Sequence, residues 1–242
     1  MWLNKPPLGV PLDWKKPINK DLVLHLAMNE GHGGKVYDLS GYGNHGTLKN
    51  FAFPPTVDSG WNPGRKGVGL NFDGSDDYIN CGNNPSLNLI DALAIEAWIK
   101  TTTVATEGMI LARATKKADH VYFISVYGGY FRLGVANGTT FGTGDLLHGT
   151  TVINDGIWHH VAGIFDGAYL KVYVDGRLDN QKAKTTKPTS LTTTVAIGNQ
   201  LGYSLYFDGA IDEVRIYRRA LISAEIRERY INPFGVYLDE ED

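Results

Sequence analysis

Short apolar or alternating runs recur along this chain, and turn residues separate them. The runs at 93–100, 130–136 and 168–174 are typical, because each has the length of a single strand. Asp-Gly dipeptides punctuate the series, for example at 166–167 and 175–176. This dipeptide favours hairpin turns because it accepts positive φ angles at little cost. Many short strands at similar spacing predict an antiparallel sandwich or barrel rather than a parallel α/β sheet.

The composition supports one globular domain and excludes several classes of partner. The 242 residues are 43% hydrophobic and 20% charged, with a net charge of −3 and no basic stripe, so we expect no nucleic-acid partner. No apolar run approaches the roughly 18 residues of a membrane span, so we expect no membrane insertion. Prolines interrupt the N-terminal region, which lacks the pattern of a signal peptide. The single cysteine, Cys81, excludes an internal disulfide, and we therefore expect synthesis in the cytoplasm.

Five longer segments follow one another in a characteristic order, at 22–48, 69–82, 93–101, 155–178 and 207–230. In order and spacing they resemble the laminin G-like, or concanavalin A-like lectin/glucanase, jelly-roll family. The resemblance implies an all-β fold, a two-sheet antiparallel jelly-roll sandwich. It implies little about activity, because related jelly rolls serve as lectins, adhesion modules, accessory domains and, in some cases, glycanases.

The chain divides into three predicted parts. Residues 1–20 form an extended proline-rich arm, residues 21–235 form the jelly-roll domain, and residues 236–242 form an acidic tail. One short C-terminal helix is predicted over 223–231, where Ser223 is a suitable N-cap residue.

The glycine-rich segment 37–50, YDLSGYGNHGTLKN, is a candidate calcium loop. Asp38, Ser40 and Asn44 supply the oxygen atoms that calcium prefers, within seven positions. In the family that the chain resembles, this loop commonly holds a structural calcium ion near an aspartate of the late strand IDEVRIY. The resemblance therefore implies a calcium site formed by side chains and backbone carbonyls of Asp38, Gly41, Tyr42, Asn44, Gly46 and Asp212. Alternatively, Asp38 and Ser40 form hydrogen-bonded turns with their own backbone and bind no ion.

A candidate carbohydrate site lies in the aromatic-rich middle of the chain. Sugar sites combine flat aromatic faces with a few polar groups that bind hydroxyls. Strand alternation places Tyr127, Tyr130 and Arg132 on one outward face if their neighbours point into the core. The predicted carbohydrate-binding residues are Tyr127, Tyr130, Arg132, Phe141, Tyr203 and Tyr206. The alternative is that these tyrosines are ordinary, half-buried strand residues.

The sequence shows no pattern for catalysis by paired carboxylates. A glycosidase needs two carboxylates on either side of the scissile bond. Asp212 and Glu213 are adjacent, so on a regular strand they would face opposite sides, and Glu96 stands alone. The neighbours His159 and His160 are expected to diverge in the same way and therefore to bind no common zinc ion.

We therefore predict a non-enzymatic carbohydrate-binding module with a structural Ca2+ ion, whose partner is a polysaccharide or glycan. A single jelly roll with a proline-rich arm and no secretion signal also resembles virion-associated phage proteins. That resemblance implies a virion-associated location, or an extracellular one after host lysis, with residues 1–20 contacting virion structural proteins. The alternatives are a capsid or tail decoration protein that binds no sugar, and a glycan-active enzyme.

Overall fold

The computed structural model describes residues 4–103, 107–114, 119–138 and 141–238. Within these ranges, sixteen strands form two antiparallel sheets, and one α-helix follows the last strand. The predicted all-β sandwich is therefore confirmed. The strands of the first half are β1 (Leu22–Leu26), β2 (Lys35–Val36), β3 (Gly46–Lys49), β4 (Gly60–Pro63), β5 (Val68–Asp73), β6 (Tyr78–Asn80), β7 (Leu93–Lys100) and β8 (Gly108–Arg113). The remaining elements are β9 (Tyr122–Tyr127), β10 (Tyr130–Val135), β11 (Leu146–Val152), β12 (His159–Phe165), β13 (Tyr169–Val174), β14 (Arg177–Ala183), β15 (Val195–Ile197), β16 (Asp208–Tyr217) and α1 (Ser223–Ile231).

The two sheets contain eight strands each. The first sheet runs in the order β14-β13-β12-β7-β16-β5-β4, with β1 paired to β16, and the second runs β11-β10-β9-β8-β15-β6-β3-β2. A tight turn at Gly128 and Gly129 joins β9 to β10, and Tyr127 pairs with Tyr130 across it. Both glycines have positive φ angles, of 58° and 85°, which explains why glycine occupies this two-residue turn.

The main core lies between the sheets and follows the alternation of the strands. Ile95 and Ile99 of β7 are fully buried in this core, together with Ile124 and Leu133 of the second sheet. Glu96, between the two isoleucines, instead contacts groups on the opposite side of the first sheet. Period-two alternation therefore separates an apolar interior from a second, polar layer, as the sequence of β7 predicts.

Three parts of the chain cover the outer side of the first sheet: the N-terminal segment (residues 4–20), helix α1 and the C-terminal segment (residues 232–238). Leu12 forms a β-bridge with Tyr237, and both belong to a second buried apolar cluster. Val236 also lies in this cluster, so the predicted tail boundary at 236 falls within packed structure. Within residues 4–20 of the predicted arm, Leu12 and Asn19 are buried against the sandwich. Residues 1–3 and 239–242 of the predicted arm and tail lie outside the described residues.

Helix α1 has the predicted bounds but a different N-cap. Ile222 occupies the cap position, and its N–H donates to the Glu225 carboxylate at 2.9 Å. Ser223 instead hydrogen-bonds to the Tyr173 hydroxyl at 3.0 Å, because packing on the first sheet directs it there. Among the described residues, no helix is long and apolar enough to cross a membrane.

Candidate functional site

The outward face of β9 and β10 collects three of the predicted sugar-binding side chains. Tyr127 lies opposite Tyr130, and Arg132 lies opposite Ser125. Directly paired residues of antiparallel strands share a face, and side chains two positions apart do so as well. Tyr127, Tyr130 and Arg132 therefore share one surface, and the exposed fractions of the two tyrosines are 47% and 38%.

Arg132 lies at the centre of this surface, covered by aromatic rings. Its guanidinium carbon is 4.7 Å from the centre of the Tyr127 ring and 5.0 Å from that of Phe123. The guanidinium forms an ion pair with Glu107, and its Nε donates to the Ser125 hydroxyl at 3.3 Å. Burial lowers the pKa of Arg132 to about 10, which still leaves the side chain cationic at neutral pH.

A cavity of about 270 Å³ opens beside Arg132. Phe141 and Tyr203 form aromatic walls, and the His120 ring lies 4.5 Å and 6.1 Å from their respective ring centres. Gln200 contacts His120 at 3.2 Å between their side-chain nitrogens. The cavity therefore combines flat apolar surfaces with polar side chains. We call this cavity, together with Tyr127, Tyr130 and Arg132, the Arg132 site.

His148 of β11 borders the exposed side of the Arg132 site. Its ring centre is 5.7 Å from that of Tyr127, in an edge-to-face arrangement. Burial, followed by the positive charges of Arg132 and Lys182, lowers the pKa of His148. His148 is therefore neutral at pH 7, and it adds a further flat ring without adding charge.

Three of the six predicted sugar-binding residues, Arg132, Phe141 and Tyr203, line the cavity, and Tyr127 and Tyr130 lie beside it on the sheet. Tyr206 does not line the cavity, although it follows Tyr203 closely in the same loop. Glu107, His120 and Gln200 were not predicted. The sequence contained two weak signals for their placement. Glu107 stands two positions before the outward-facing Met109, and Gln200 belongs to the same loop as Tyr203.

A larger cavity, of about 660 Å³, lies between the N-terminal segment and the chain at 27–39. Its walls include Pro7, Leu8 and Val10, and its lining is mostly apolar. One oxygen of the lining carboxylate Glu30 accepts the Tyr37 N–H at 2.8 Å. Among the described residues, the smaller Arg132 cavity places four aromatic rings beside polar side chains, those of His120, Phe123, Phe141 and Tyr203, whereas three aromatic rings line the larger cavity, those of His32, Tyr37 and Tyr237.

The predicted calcium loop is closed by its own hydrogen bonds. One oxygen of Asp38 accepts the N–H groups of His25 and Ser40, both at 2.9 Å. The other accepts the Ser40 hydroxyl at 2.7 Å and the Asn44 N–H at 2.9 Å. The Asn44 side-chain nitrogen donates to the Val23 carbonyl at 2.7 Å. Both Asp38 oxygens are therefore engaged by protein donors, as in the ion-free alternative.

Of the remaining predicted ligands, Asp212 lies apart from the loop. Asp212 binds the Lys5 ammonium and accepts the Arg65 N–H at 2.9 Å. Strand β1 separates it from Asp38, because β1 pairs with β16 on one side and bridges to Asp38 on the other. Gly41 and Tyr42 are exposed, and Gly46 begins β3. The carboxylates of Asp38 and Asp212, already engaged by protein donors, do not fit the predicted calcium ion, whereas the Asn44 side-chain oxygen is buried without a hydrogen-bond partner among the described residues. Calcium binding itself remains to be tested by chelation.

Three other carboxylates lie close together in the turn after β5. Ligand oxygens of Asp73, Asp76 and Asp77 are all within 4.8 Å of one another. One Asp73 oxygen accepts the N–H groups of Ser75 and Asp76, at 2.8 and 3.2 Å, so it serves as a turn-forming acceptor. Burial raises the pKa of Asp77 to about 6.

The adjacent acids Asp212 and Glu213 do not face opposite sides, so that prediction is wrong. Glu213 has a φ angle of 52° and lies at an irregularity in the pairing between Asp212 and Arg215. The bulge turns both carboxylates toward the covered side of the first sheet, where Asp212 meets Lys5, and Glu213 meets His25 and Arg215. Both are at most 1% exposed, so a substrate cannot reach them.

These observations define the class of protein as a two-sheet jelly roll with a polar and aromatic surface on one sheet. The chain belongs to the concanavalin A-like lectin/glucanases superfamily, whose family model matches residues 73–227. No curated protein sequence matches the chain.

Solved structures share the fold at low sequence identity. The binding domain of Paraclostridial Mosquitocidal Protein 1 is 15% identical with a TM-score of 0.70, covering 90% of this chain and 53% of that one. Domain 4 of AbnA, a GH43 extracellular arabinanase from Geobacillus stearothermophilus solved with arabinotriose, is 21% identical with a TM-score of 0.66, covering 86% and 97%. The binding domain of botulinum neurotoxin DC, in complex with SialylT, is 14% identical with a TM-score of 0.61, covering 88% and 52%. This chain thus spans about half the length of the two toxin domains.

Proposed function

We propose that this protein is a non-enzymatic, lectin-like module that binds glycans at the Arg132 site. The observation that carries the proposal is the cavity beside Arg132, in which Phe141 and Tyr203 offer ring faces next to the polar groups of Glu107 and Gln200. Ring faces accept the apolar side of a pyranose, while polar side chains bind its hydroxyls.

The dimensions of the Arg132 site favour a single sugar unit in the cavity. Its volume of about 270 Å³ is just below the range of roughly 300–1,000 Å³ for ordinary ligand pockets. Tyr127 and Tyr130 are exposed on the sheet beside it and offer ring surface for neighbouring units of a longer glycan.

The related structures support a glycan as the class of ligand. The arabinanase domain was solved with arabinotriose and the neurotoxin domain with SialylT. Both share the jelly roll of this chain, so the fold is compatible with presenting a glycan-binding surface.

The carboxylates of the Arg132 site support binding rather than hydrolysis. Among the described residues that line the cavity, Glu107 is the single carboxylate, and it is ion-paired with Arg132. A glycosidase of the usual kind needs a second carboxylate across the scissile bond. The adjacent pair Asp212 and Glu213 is buried on the other sheet.

Screening on a glycan array and by affinity electrophoresis in polysaccharide gels tests the proposal. We expect retention by at least one polysaccharide, with no change in that polysaccharide after long incubation. Retention by none would contradict glycan binding and favour the structural decoration protein. Cleavage that is abolished by Glu107→Gln would instead identify an enzyme.

Virion association is a further part of the proposal. Leu8 and Trp14 are 60% and 54% exposed on the N-terminal segment, so they are available for contact with a partner protein. We expect a Leu8→Ser/Trp14→Ser variant to retain the fold and to lose attachment to phage particles in co-sedimentation. Unchanged attachment would contradict an anchoring role for this segment.

A further inference from the structure

We propose that Glu107 restricts the Arg132 site to uncharged sugars, a proposal that rests on glycan binding at this site. Among the described lining residues, Arg132 is the one arginine or lysine, and an arginine in a sugar site would ordinarily attract a carboxylated sugar. Here Glu107 already neutralises the guanidinium. The ion pair therefore contributes no net charge to the cavity.

The Arg132 guanidinium is also shielded from an incoming carboxylate. The rings of Phe123 and Tyr127 lie 5.0 and 4.7 Å from its central carbon, and only 8% of the residue is exposed. An acidic sugar would have to displace Glu107 before it could pair with Arg132.

Displacement of Glu107 is opposed by its other contact. The same Glu107 oxygen that faces Arg132 accepts the Ser125 hydroxyl at 2.9 Å, and Ser125 also accepts from Arg132 Nε. Moving Glu107 would break this network, and leaving it in place would bring two carboxylates together. Either outcome disfavours an anionic ligand, whereas neutral hydroxyls can donate to Glu107 without disturbing the pair.

Among the described residues, two lysines near the site, Lys182 and Lys184, do not replace Arg132 as partners for an acid. Lys182, whose charge acts on His148, donates to the backbone carbonyls of Thr143 and Leu146 at 2.6 and 2.7 Å. Lys184 is paired with Asp145. Both ammonium groups are therefore directed toward protein oxygens.

The experiment compares matched neutral and acidic glycans on one array, such as lactose and sialyllactose, or hexose oligomers and the corresponding uronate oligomers. We expect the wild-type protein to bind neutral members in preference, with little dependence on salt. Glu107→Gln should raise affinity for the acidic members about tenfold, because Arg132 is then free to form a charge-assisted hydrogen bond. The matched control is Glu225→Gln, which breaks the ion pair with Arg219 at 2.7 Å, outside the site.

The possible outcomes separate this proposal from the proposed function. Wild-type preference for acidic glycans, weakened by salt, would overturn the role of Glu107 while leaving glycan binding intact. A folded Glu107→Gln variant with unchanged selectivity would overturn it as well. If that variant does not fold, the wild-type selectivity and its salt dependence decide the question. Failure to bind either class would contradict glycan binding itself.

Discussion

Lys5 and Asp212 form a buried ion pair, although 207 positions separate them along the chain. Their side chains are 2% and 0% exposed. The Lys5 ammonium also donates to the Met28 carbonyl at 3.1 Å. Charge as well as apolar packing therefore holds the N-terminal segment on the first sheet.

Replacement of Lys5 should destabilise the fold strongly. In Lys5→Met, the Asp212 carboxylate stays buried without its cation, and removing one partner of a buried ion pair costs about 3–5 kcal/mol. We expect this loss in the free energy of unfolding measured by chemical denaturation. The control is Lys15→Met, an exposed lysine of the same segment. Equal stability of the two variants would show that Lys5 does not hold the N-terminal segment on the first sheet.

The loop around Asp38 should depend on its carboxylate but not on calcium. Asp38→Ala leaves four buried donors without their acceptor, so we expect a loss of about 3 kcal/mol or more. Asp58→Ala, at an exposed position, should be neutral. Excess chelator should leave the melting temperature of the wild-type protein unchanged. A fall that added calcium reverses would instead support the calcium ion implied by the family resemblance.

Asp77 should make stability depend on pH. Burial raises its pKa from 3.8 to about 6, so the folded state binds the proton more tightly than the unfolded state does. The wild-type protein therefore loses stability as pH rises from about 4 to about 6, with the full loss present above that window. Asp77→Asn lacks this loss and should gain stability relative to the wild type through the same window. The exposed Asp76→Asn control should differ from the wild type by an amount of unfolding free energy that is constant with pH. The same constant difference for Asp77→Asn would contradict the role of Asp77.

Removal of an aromatic wall should weaken glycan binding without unfolding the protein. Tyr203→Ala and Phe141→Ala each remove a half-buried ring from the Arg132 site. Loss of such a contact should cost about 1 kcal/mol of binding free energy. We therefore expect Kd, measured by isothermal titration calorimetry, to rise roughly fivefold. Tyr169→Ala removes an exposed ring from β13, on the other sheet, and should bind as the wild type does. Equal weakening in all three variants would contradict the location of the site.

The strands that carry the Arg132 site could be predicted because their alternation is local. Inward residues such as Ile124 and Leu133 are apolar, so the directions of Tyr127, Tyr130 and Arg132 follow from period-two geometry. Helix α1 was predictable for a similar reason, since its bounds follow from a short local pattern.

The contacts of the Arg132 site depend on packing between residues that are far apart in the sequence. Glu107 reaches Arg132 from the position just before β8, and Gln200 comes from a loop after β15. Their positions in the sequence offered only weak signals, because the contacts of Glu107 and Gln200 depend on which strands and loops become neighbours. The family resemblance assigned Asp212 to the calcium loop. Its contact with Lys5 could not be predicted, because that contact depends on where residues 4–20 pack. The orientation of Glu213 likewise depends on a bulge with a positive φ angle, which strand alternation does not anticipate.

The most direct test of glycan binding at the Arg132 site is an NMR titration of the isotope-labelled protein with the best ligand from the array. We expect the largest chemical-shift changes at Arg132, Phe141 and Tyr203, with few changes on the first sheet. Shifts concentrated instead around Leu8 and Tyr37, at the larger cavity beside the N-terminal segment, would contradict this location.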